Sequence, residues 1–249
     1  MKISIITAAY NSESTVGEAI ASVARQTHPD LEHLVIEGRS KDDSLAAIER
    51  AGHARMRLIS EPDRGIYDAL NKGIRHATGE IVGFVHSDDF LADNAVLARI
   101  AAALGDPAVE AVFSDLDYVS QSDTTRVIRH WATGPYQSRR LKFGWMPAHP
   151  TLYLRREAYE RVGLYDTDLK ISADYEFILR YFSRASGRTV YLPEVLYKMR
   201  VGGVSNRNLA KIRQKMKEDL LAIRRNRVGG VHTLVLKNLS KISQFRIRS

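Results

Sequence analysis

Short β-branched apolar runs alternate with amphipathic helical stretches through residues 3–104, and this alternation leaves the chain few architectures to choose from. Strand-like runs at 3–7, 31–37, 56–60 and 81–86 are followed by helical patterns at 16–25, 42–50, 66–77 and 95–104. A strand-helix rhythm of this kind predicts an α/β fold with a mostly parallel central sheet flanked by helices. In such sheets ligands sit beyond the carboxyl ends of the strands. The polar segments that follow the strands, 7–11, 37–40, 61–65 and 86–89, are therefore the places to look for chemistry.

The rhythm changes after residue 110. A run at 111–114 and a hairpin pairing 118–119 with 127–130 around the polar 121–125 predict a mixed sheet edge. Residues 134–151, rich in Gly, Pro, aromatic and basic side chains, predict an irregular loop able to close over a site. Helices follow at 155–162 and at 172–183, with Ser172 as N-cap and Asp174 in the first turn. Beyond Gly202 and Gly203, the spacing of Leu209, Ile212, Met216, Leu220 and Ile223 predicts an amphipathic helix ended by Gly229 and Gly230. Val231, Val235, Leu239 and Ile242 then share one face, with Lys237, Lys241 and Arg248 broadly opposite. The expected organisation is a catalytic domain over 1–205 and a helical, basic extension over 206–249.

The 249 residues include no cysteine, so thiolate metal sites and disulfides are excluded and any metal must be held by carboxylate, imidazole or water. The net charge of +8 is confined to one end. Residues 206–249 carry 12 Lys or Arg against Glu218 and Asp219, whereas residues 1–205 carry 25 basic and 27 acidic side chains. Apart from Phe245 the tail has no aromatics interleaved with its charges, which argues against a nucleic-acid partner. Its apolar face suits a bilayer surface, a partner subunit or packing on the domain, and these stay open at this level. No run of 18 apolar residues and no leader pattern is present, which predicts a cytoplasmic protein with possible peripheral contact at the inner face of the membrane.

The run at 81–85 ends in His86-Ser87-Asp88-Asp89, two adjacent carboxylates where the chain leaves the sheet. Such a pair can divide its work, one carboxylate bonding a hard cation and the other a water of its shell or a ribose hydroxyl. The same pair can also cap a helix or sit in a solvated turn.

Six segments, taken in order, give the chain its resemblance to family 2 glycosyltransferases of the GT-A fold, over about residues 1–205. They are Ile5-Ile6-Thr7-Ala8-Ala9-Tyr10-Asn11, Val35-Ile36-Glu37-Gly38-Arg39-Ser40-Lys41-Asp42 and Ser60-Glu61-Pro62-Asp63-Arg64-Gly65-Ile66-Tyr67-Asp68-Ala69-Leu70-Asn71-Lys72-Gly73. His86-Ser87-Asp88-Asp89, Ala148-His149-Pro150-Thr151 and Ser172-Ala173-Asp174-Tyr175 complete the set. The resemblance is greatest to enzymes that build bacterial surface polysaccharides. It implies an inverting transfer from a nucleotide-diphosphate sugar, a UDP-sugar foremost, to a saccharide or lipid-linked saccharide, with Mn or Mg as cofactor.

The resemblance also implies roles. Thr7, Ala9, Tyr10 and Asn11 line the base and ribose, Glu37 reads the base, Asp88 and Asp89 hold ribose and metal with Asp89 in direct metal contact, and Asp174 is the general base. Glu37 is one methylene longer than the Asp usual there, and His86 stands where relatives carry Asp or Asn. His86 could touch ribose or phosphate, or serve as a structural hydrogen-bonder. Arg64 suits a diphosphate or a solvated turn, and Asn71 could face the donor. Trp145 and His149, on the irregular loop, fit either the acceptor side or the anchoring of that loop.

Other classes share some of these ingredients. A glycoside hydrolase could use two carboxylates, such as Asp89 and Asp174, but would need neither the segments at Thr7 and Glu37 nor a metal. A nucleotidyltransferase would favour a Gly-rich phosphate loop near the N-terminus, which this sequence lacks. A non-catalytic binding protein would work through the basic tail.

Overall fold

The computed structural model describes residues 1–185, 187–202 and 209–240. Strands β1 (Ile3–Ala9), β2 (Leu31–Glu37), β3 (Met56–Ser60) and β4 (Ile81–Phe84) pair in parallel in the order β3-β2-β1-β4. Helices α1 (Val16–Ala24), α2 (Ser44–Ala51) and α3 (Ile66–His76) follow the first three strands. A two-residue strand β5 (Phe90–Leu91) and helix α4 (Val96–Ala103) follow the fourth. This half is the architecture the alternation predicts.

The second half completes a mixed sheet with β6 (Val109–Val119), β7 (Val127–Trp131), β8 (Tyr153–Arg155) and β9 (Arg188–Arg200). β8 runs antiparallel between β4 and β6, and β6 runs parallel to β9. β5 adds to β9, and β7 to β6, both antiparallel. Helices α5 (Arg156–Val162), α6 (Ala173–Arg184), α7 (Leu209–Arg225) and α8 (Val231–Ser240) complete the chain, with single 3-10 turns at Ser138–Phe143 and His149–Thr151.

Every residue of β1 is buried, as a strand covered on both faces requires. Ile3 and Ile5 point to the side of Val23 on α1 and Ile100 on α4. Ile6 and Ala8 point to the other side, with Leu70 and Ile74 of α3 and Phe177 of α6. Burying one such side chain is worth about 1.5–3 kcal/mol, so the period-two pattern fixes both layers. Gly73 lets α3 lie directly on β1, because a Cβ there would stand 2.4 Å from Ile6 Cγ2.

The short strands β5 and β8 were not expected, and two longer elements also depart from expectation. β6 is one continuous strand instead of a run at 111–114 with a separate hairpin arm, and β9 was not expected at all. Pro193 interrupts its pattern and cannot donate to a ladder. The register steps from Ser114 opposite Leu192 to Asp115 opposite Val195, so Pro193 and Glu194 are the residues left over.

The expected division at 205 does not coincide with a break in packing. Ala222, Ile223, Val228 and Leu234 of the C-terminal segment belong to the same core as Phe177 and Phe182. Val231, Val235 and Leu239, expected on one face of α8, are exposed, whereas Lys237 is buried at 4% exposure instead of facing solvent. Lys241, Ile242 and Arg248 lie outside the described residues. Among the described residues no helix is long and apolar enough to cross a membrane.

Candidate active site

The carboxyl ends of β1, β2 and β3 meet at one edge of the sheet. Asn11 takes a left-handed conformation, φ 49°, just past β1. Its backbone N–H donates to Ser40 Oγ (3.0 Å) and its side-chain oxygen accepts from the Lys41 N–H (2.9 Å), which ties the loop after β1 to the loop after β2. Tyr10, 52% exposed, is thereby held with its ring outside the sheet. A Cβ on Gly38 would stand 2.3 Å from Asp63 Oδ2 and 3.4 Å from Tyr10 Cδ2, so a tyrosine face and a carboxylate converge over bare backbone. Asp63 accepts from the Gly65 N–H (2.8 Å), and burial, with Asp68 and Glu37 nearby, raises its carboxyl above the ordinary range.

Several residues assigned to the donor side are used otherwise. Glu37 is buried, and its two oxygens accept from the Ser40 N–H (2.5 Å) and Ser60 Oγ (2.6 Å). Burial works against its ionisation, but these bonds outweigh it and hold the carboxyl below the usual range. Glu37 thus fastens the loops, and Asp63 is the carboxylate beside Tyr10. Thr7 is buried with its hydroxyl 3.0 Å from His33 Nε2, and Ala9 is buried within β1, so neither offers its side chain to a ligand. Asn71 exchanges two hydrogen bonds with the backbone of Tyr165 (both 2.9 Å) and locks α3 to the loop before α6. Arg64, 74% exposed, makes a 3.4 Å surface pair with Asp68.

The turn after β4 is held from β9. Tyr197 donates to Asp89 Oδ2 (3.1 Å) and accepts from the His86 N–H (2.9 Å), while the Arg200 N–H donates to Asp89 Oδ1 (3.0 Å). The Arg200 guanidinium donates to the Asp88 carbonyl (2.6 Å), pairs with Glu18 of α1 and lies 5.0 Å over the Phe90 ring. Asp89 is 1% exposed, and burial, then the charge of Asp88, pushes its carboxyl well above the aspartate range in spite of those donors. The structure therefore corrects the expected order of the pair. Asp89 is an internal fastener, and Asp88 is left half-buried, with its charge felt at His86. The same burial removes Asp89 from the two-carboxylate hydrolase reading.

Asp88 and Asp174 both act on His86. His86 stands beyond the end of β4, where burial lowers its pKa and the charges of Asp88 and Asp174 both oppose that shift. His86 stacks on His149 with ring centroids 5.7 Å apart, and His149 stacks on Phe84 at 5.2 Å. His149 is buried, its Nε2 lies 2.7 Å from the Tyr165 hydroxyl, and burial lowers its pKa to about 3. It fixes the loop as a neutral imidazole. Trp145 does the same for the neighbouring segment, donating to the Thr133 carbonyl (2.9 Å) and packing edge-on to Phe113 and Phe182. A cavity of about 350 Å³ lies beyond its outer edge, between Trp131, Phe143 and α8.

Asp174 sits in the first turn of α6 as the sequence predicts. The Tyr67 hydroxyl lies 3.1 Å from Asp174 Oδ1 and 2.7 Å from the Ile171 carbonyl. Burial raises the Asp174 carboxyl above its ordinary value.

The family model described as glycosyl transferase family 2 matches residues 4–163. The chain belongs to that family. A PGL/p-HBAD biosynthesis glycosyltransferase of Mycobacterium bovis is 32% identical over 208 residues, 82% of this chain and 78% of the relative. The Bacillus subtilis glycosyltransferase EpsJ is 31% identical over 222 residues, 78% of this chain and 60% of EpsJ. Staphylococcus aureus TarS in complex with UDP-GlcNAc superposes with a TM-score of 0.68 at 21% identity, over 92% of this chain and 66% of that one. The Pyrobaculum calidifontis mannosyltransferase PcManGT, with GDP-Man and Mn²⁺, gives 0.66 at 22% identity over 96% and 69%. These structures show the GT-A fold.

Family 2 membership frames the metal question. Among the described residues no group of three or more His, Asp or Glu is arranged to hold an ion unaided. The half-buried Asp88 does fit a hard cation of the Mn or Mg kind, which one or two carboxylates bind together with substrate phosphates and waters. Tyr197 and Arg200, which shape this glycosyltransferase's β4 turn, went unseen in the sequence because β9 did. Asp63 had a signal, since the Asp63-Arg64-Gly65 triplet follows a strand, but the guanidinium drew the assignment.

Proposed function

We propose that this family 2 glycosyltransferase moves a sugar from a nucleotide-diphosphate sugar, UDP-sugars foremost, to a saccharide or lipid-linked saccharide in bacterial surface polysaccharide synthesis. The observation that supports the reading is that the charges of Asp88 and Asp174 both reach His86, beyond the carboxyl end of β4. The nucleotide sugars bound by TarS and PcManGT support a donor of that class.

In this reading the base lies against Tyr10, with the Asp63 carboxylate at its edge as acceptor. Asp88 holds the Mn or Mg ion. Bound there, such an ion would supply positive charge against the departing diphosphate. Asp174 takes the proton of the acceptor hydroxyl as its oxygen bonds the anomeric carbon, and the electron pair of the broken bond leaves with the diphosphate. Base assistance of this kind is worth ~10²- to 10⁴-fold. Attack from the face opposite the leaving group inverts the anomeric configuration.

Peripheral contact with an anionic membrane has support in exposed apolar residues beside basic ones. Val231, Val235 and Leu239 on α8, Phe143 nearby, and Leu209, Ile212 and Met216 on α7 are exposed. α7 also carries Arg213 and Lys217 at its surface.

Thermal stability in a panel of UDP-, GDP- and dTDP-sugars, with and without Mn²⁺, tests the donor class. A Mn²⁺-dependent rise with UDP-sugars is expected. No metal-dependent rise with any donor would contradict the proposal.

A further inference from the structure

Residues 206–249 contain two acidic side chains, and the fold buries both. Glu218 and Asp219 stand side by side on an otherwise basic α7, at 8% and 1% exposure. Glu218 accepts from the backbone N–H groups of Lys170 (3.2 Å), Ile171 (2.8 Å) and Ser172 (2.9 Å). Those three lead directly into α6, the helix that carries Asp174. Ser172, the N-cap residue, makes no side-chain capping bond, so the anion that closes this helix start comes from α7. A carboxylate taking three N–H donors is a charge-assisted clamp on the backbone two residues ahead of Asp174.

A second contact comes from α8. Lys237 Nζ pairs with Asp219 Oδ2 at 2.7 Å and lies 3.4 Å from the centroid of the Tyr175 ring, the residue after Asp174. The pair is almost fully buried, at 4% and 2% side-chain exposure. α8 is held there by its own packing. Thr233 donates to the Lys142 carbonyl (2.8 Å), and Gly144, at φ 80°, lies so close that a Cβ would come within 2.5 Å of the Lys237 backbone.

We propose that the C-terminal helices complete the catalytic site of this glycosyltransferase, with Glu218 and the Lys237–Asp219 pair acting as positioning residues for Asp174. Asp174 is gripped from both sides along the chain, Ser172 by Glu218 and Tyr175 by Lys237. The charges and titratable groups around it are Tyr67 of α3, His86 after β4, Tyr118 of β6, Tyr165 of the preceding loop, Asp219 of α7 and Lys237 of α8. Lys237 favours the ionised base, while Asp219 and burial oppose it. The family model ends at residue 163, so these contacts belong to a part of the chain that it does not describe. The inference rests on Asp174 being the base.

The test uses the full chain and the nucleotide sugar that gives the largest Mn²⁺-dependent thermal shift, following nucleotide release by transfer to water or to an added acceptor. Glu218→Gln and Lys237→Met should each lower kcat ~10- to 100-fold, the scale of a misplaced catalytic group, with donor KM and the Mn²⁺-dependent shift unchanged. Lys237→Arg should recover most of the loss. Lys237→Met leaves Asp219 buried without its cation, so the double variant Lys237→Met/Asp219→Asn, which removes both charges, keeps the measurement available if the single variant does not fold. Wild-type kcat in Glu218→Gln and in the lysine variants, beside an inactive Asp174→Asn, overturns this inference. An active Asp174→Asn overturns the underlying reading of the base instead.

Discussion

Tyr197 donates its hydroxyl hydrogen to Asp89 at 3.1 Å while accepting the N–H of His86 at 2.9 Å, so one side chain from β9 sets the shape of the whole turn after β4. Asp89 is consumed in that task, and Asp88 is left half-buried with its charge acting on His86. The two neighbours should therefore fail differently. Asp89→Ala leaves the Tyr197 hydroxyl and the Arg200 N–H buried without an acceptor, about 1–3 kcal/mol for each, and should lower the melting temperature by several degrees. Asp88→Ala should leave the melting temperature nearly unchanged and abolish the Mn²⁺-dependent shift given by nucleotide sugars. The same thermal scans, with and without ligand, read both.

The nucleotide base is assigned to Tyr10 and Asp63, which meet over Gly38. Asp63→Ala should weaken binding of the free nucleoside diphosphate ~10-fold, the scale of a hydrogen bond to a charged acceptor. Tyr10→Ala should do the same through lost stacking, whereas Arg64→Ala, at an exposed surface pair, should change it little. Isothermal titration with UDP and GDP would measure all three.

How much of this was legible in the sequence can be judged residue by residue. The β-α alternation gave the parallel half of the sheet because each buried strand must be apolar and each covering helix amphipathic. Asp174 was placed in a helix's first turn from Ser172 alone, and it is there, although Ser172 does not cap that helix. Which of Asp88 and Asp89 faces out could not be read, because it depends on Tyr197 and Arg200, more than a hundred residues away, on a strand whose pattern Pro193 breaks. The use of Glu37 as a loop fastener is hidden from the sequence for a similar reason. Its partners Ser40 and Ser60 close a loop cluster that local pattern does not encode. Lys237 looked like a surface cation because amphipathic spacing cannot see the buried Asp219 opposite it.

Two buried histidines should cost the fold stability in mild acid. His33 and His149 are buried as neutral imidazoles with pKa values lowered to about 3, chiefly by burial, with further contributions from His53 and Arg55 for the first and His86 for the second. Unfolded, each titrates near ~6.5. Below that pH the unfolded chain takes up protons that the folded chain refuses. The stabilisation is thus fully present above pH ~6.5 and is lost as pH falls toward 3, by at most about 1.4 kcal/mol per pH unit for each ring. In urea melts between pH 7 and 5 this slope is opposed by Asp89 and Asp174, whose raised carboxyls favour the folded state as pH falls, so the reading is the difference between wild type and His33→Asn, which should lose less stability over that range.

Association with anionic vesicles should depend on the exposed face of α8. Replacing Val231, Val235 and Leu239 together with Ser should cut co-sedimentation with phosphatidylglycerol vesicles several-fold and leave nucleotide-sugar binding intact, since all three are exposed. Point changes are needed here, because truncation would also take Lys237 out of the core. Equal sedimentation of both proteins, or none of either, would show that this face is not a membrane anchor.

The proposed transfer makes Asp174 the base, with the donor held at Asp88. It is tested most directly by measuring nucleotide release by Asp174→Asn under saturating nucleotide sugar and Mn²⁺, beside the thermal shift of the same protein with the same ligands. The predicted result is a loss of ~10²- to 10⁴-fold in turnover with the ligand-induced shift retained. Full turnover by Asp174→Asn would contradict it.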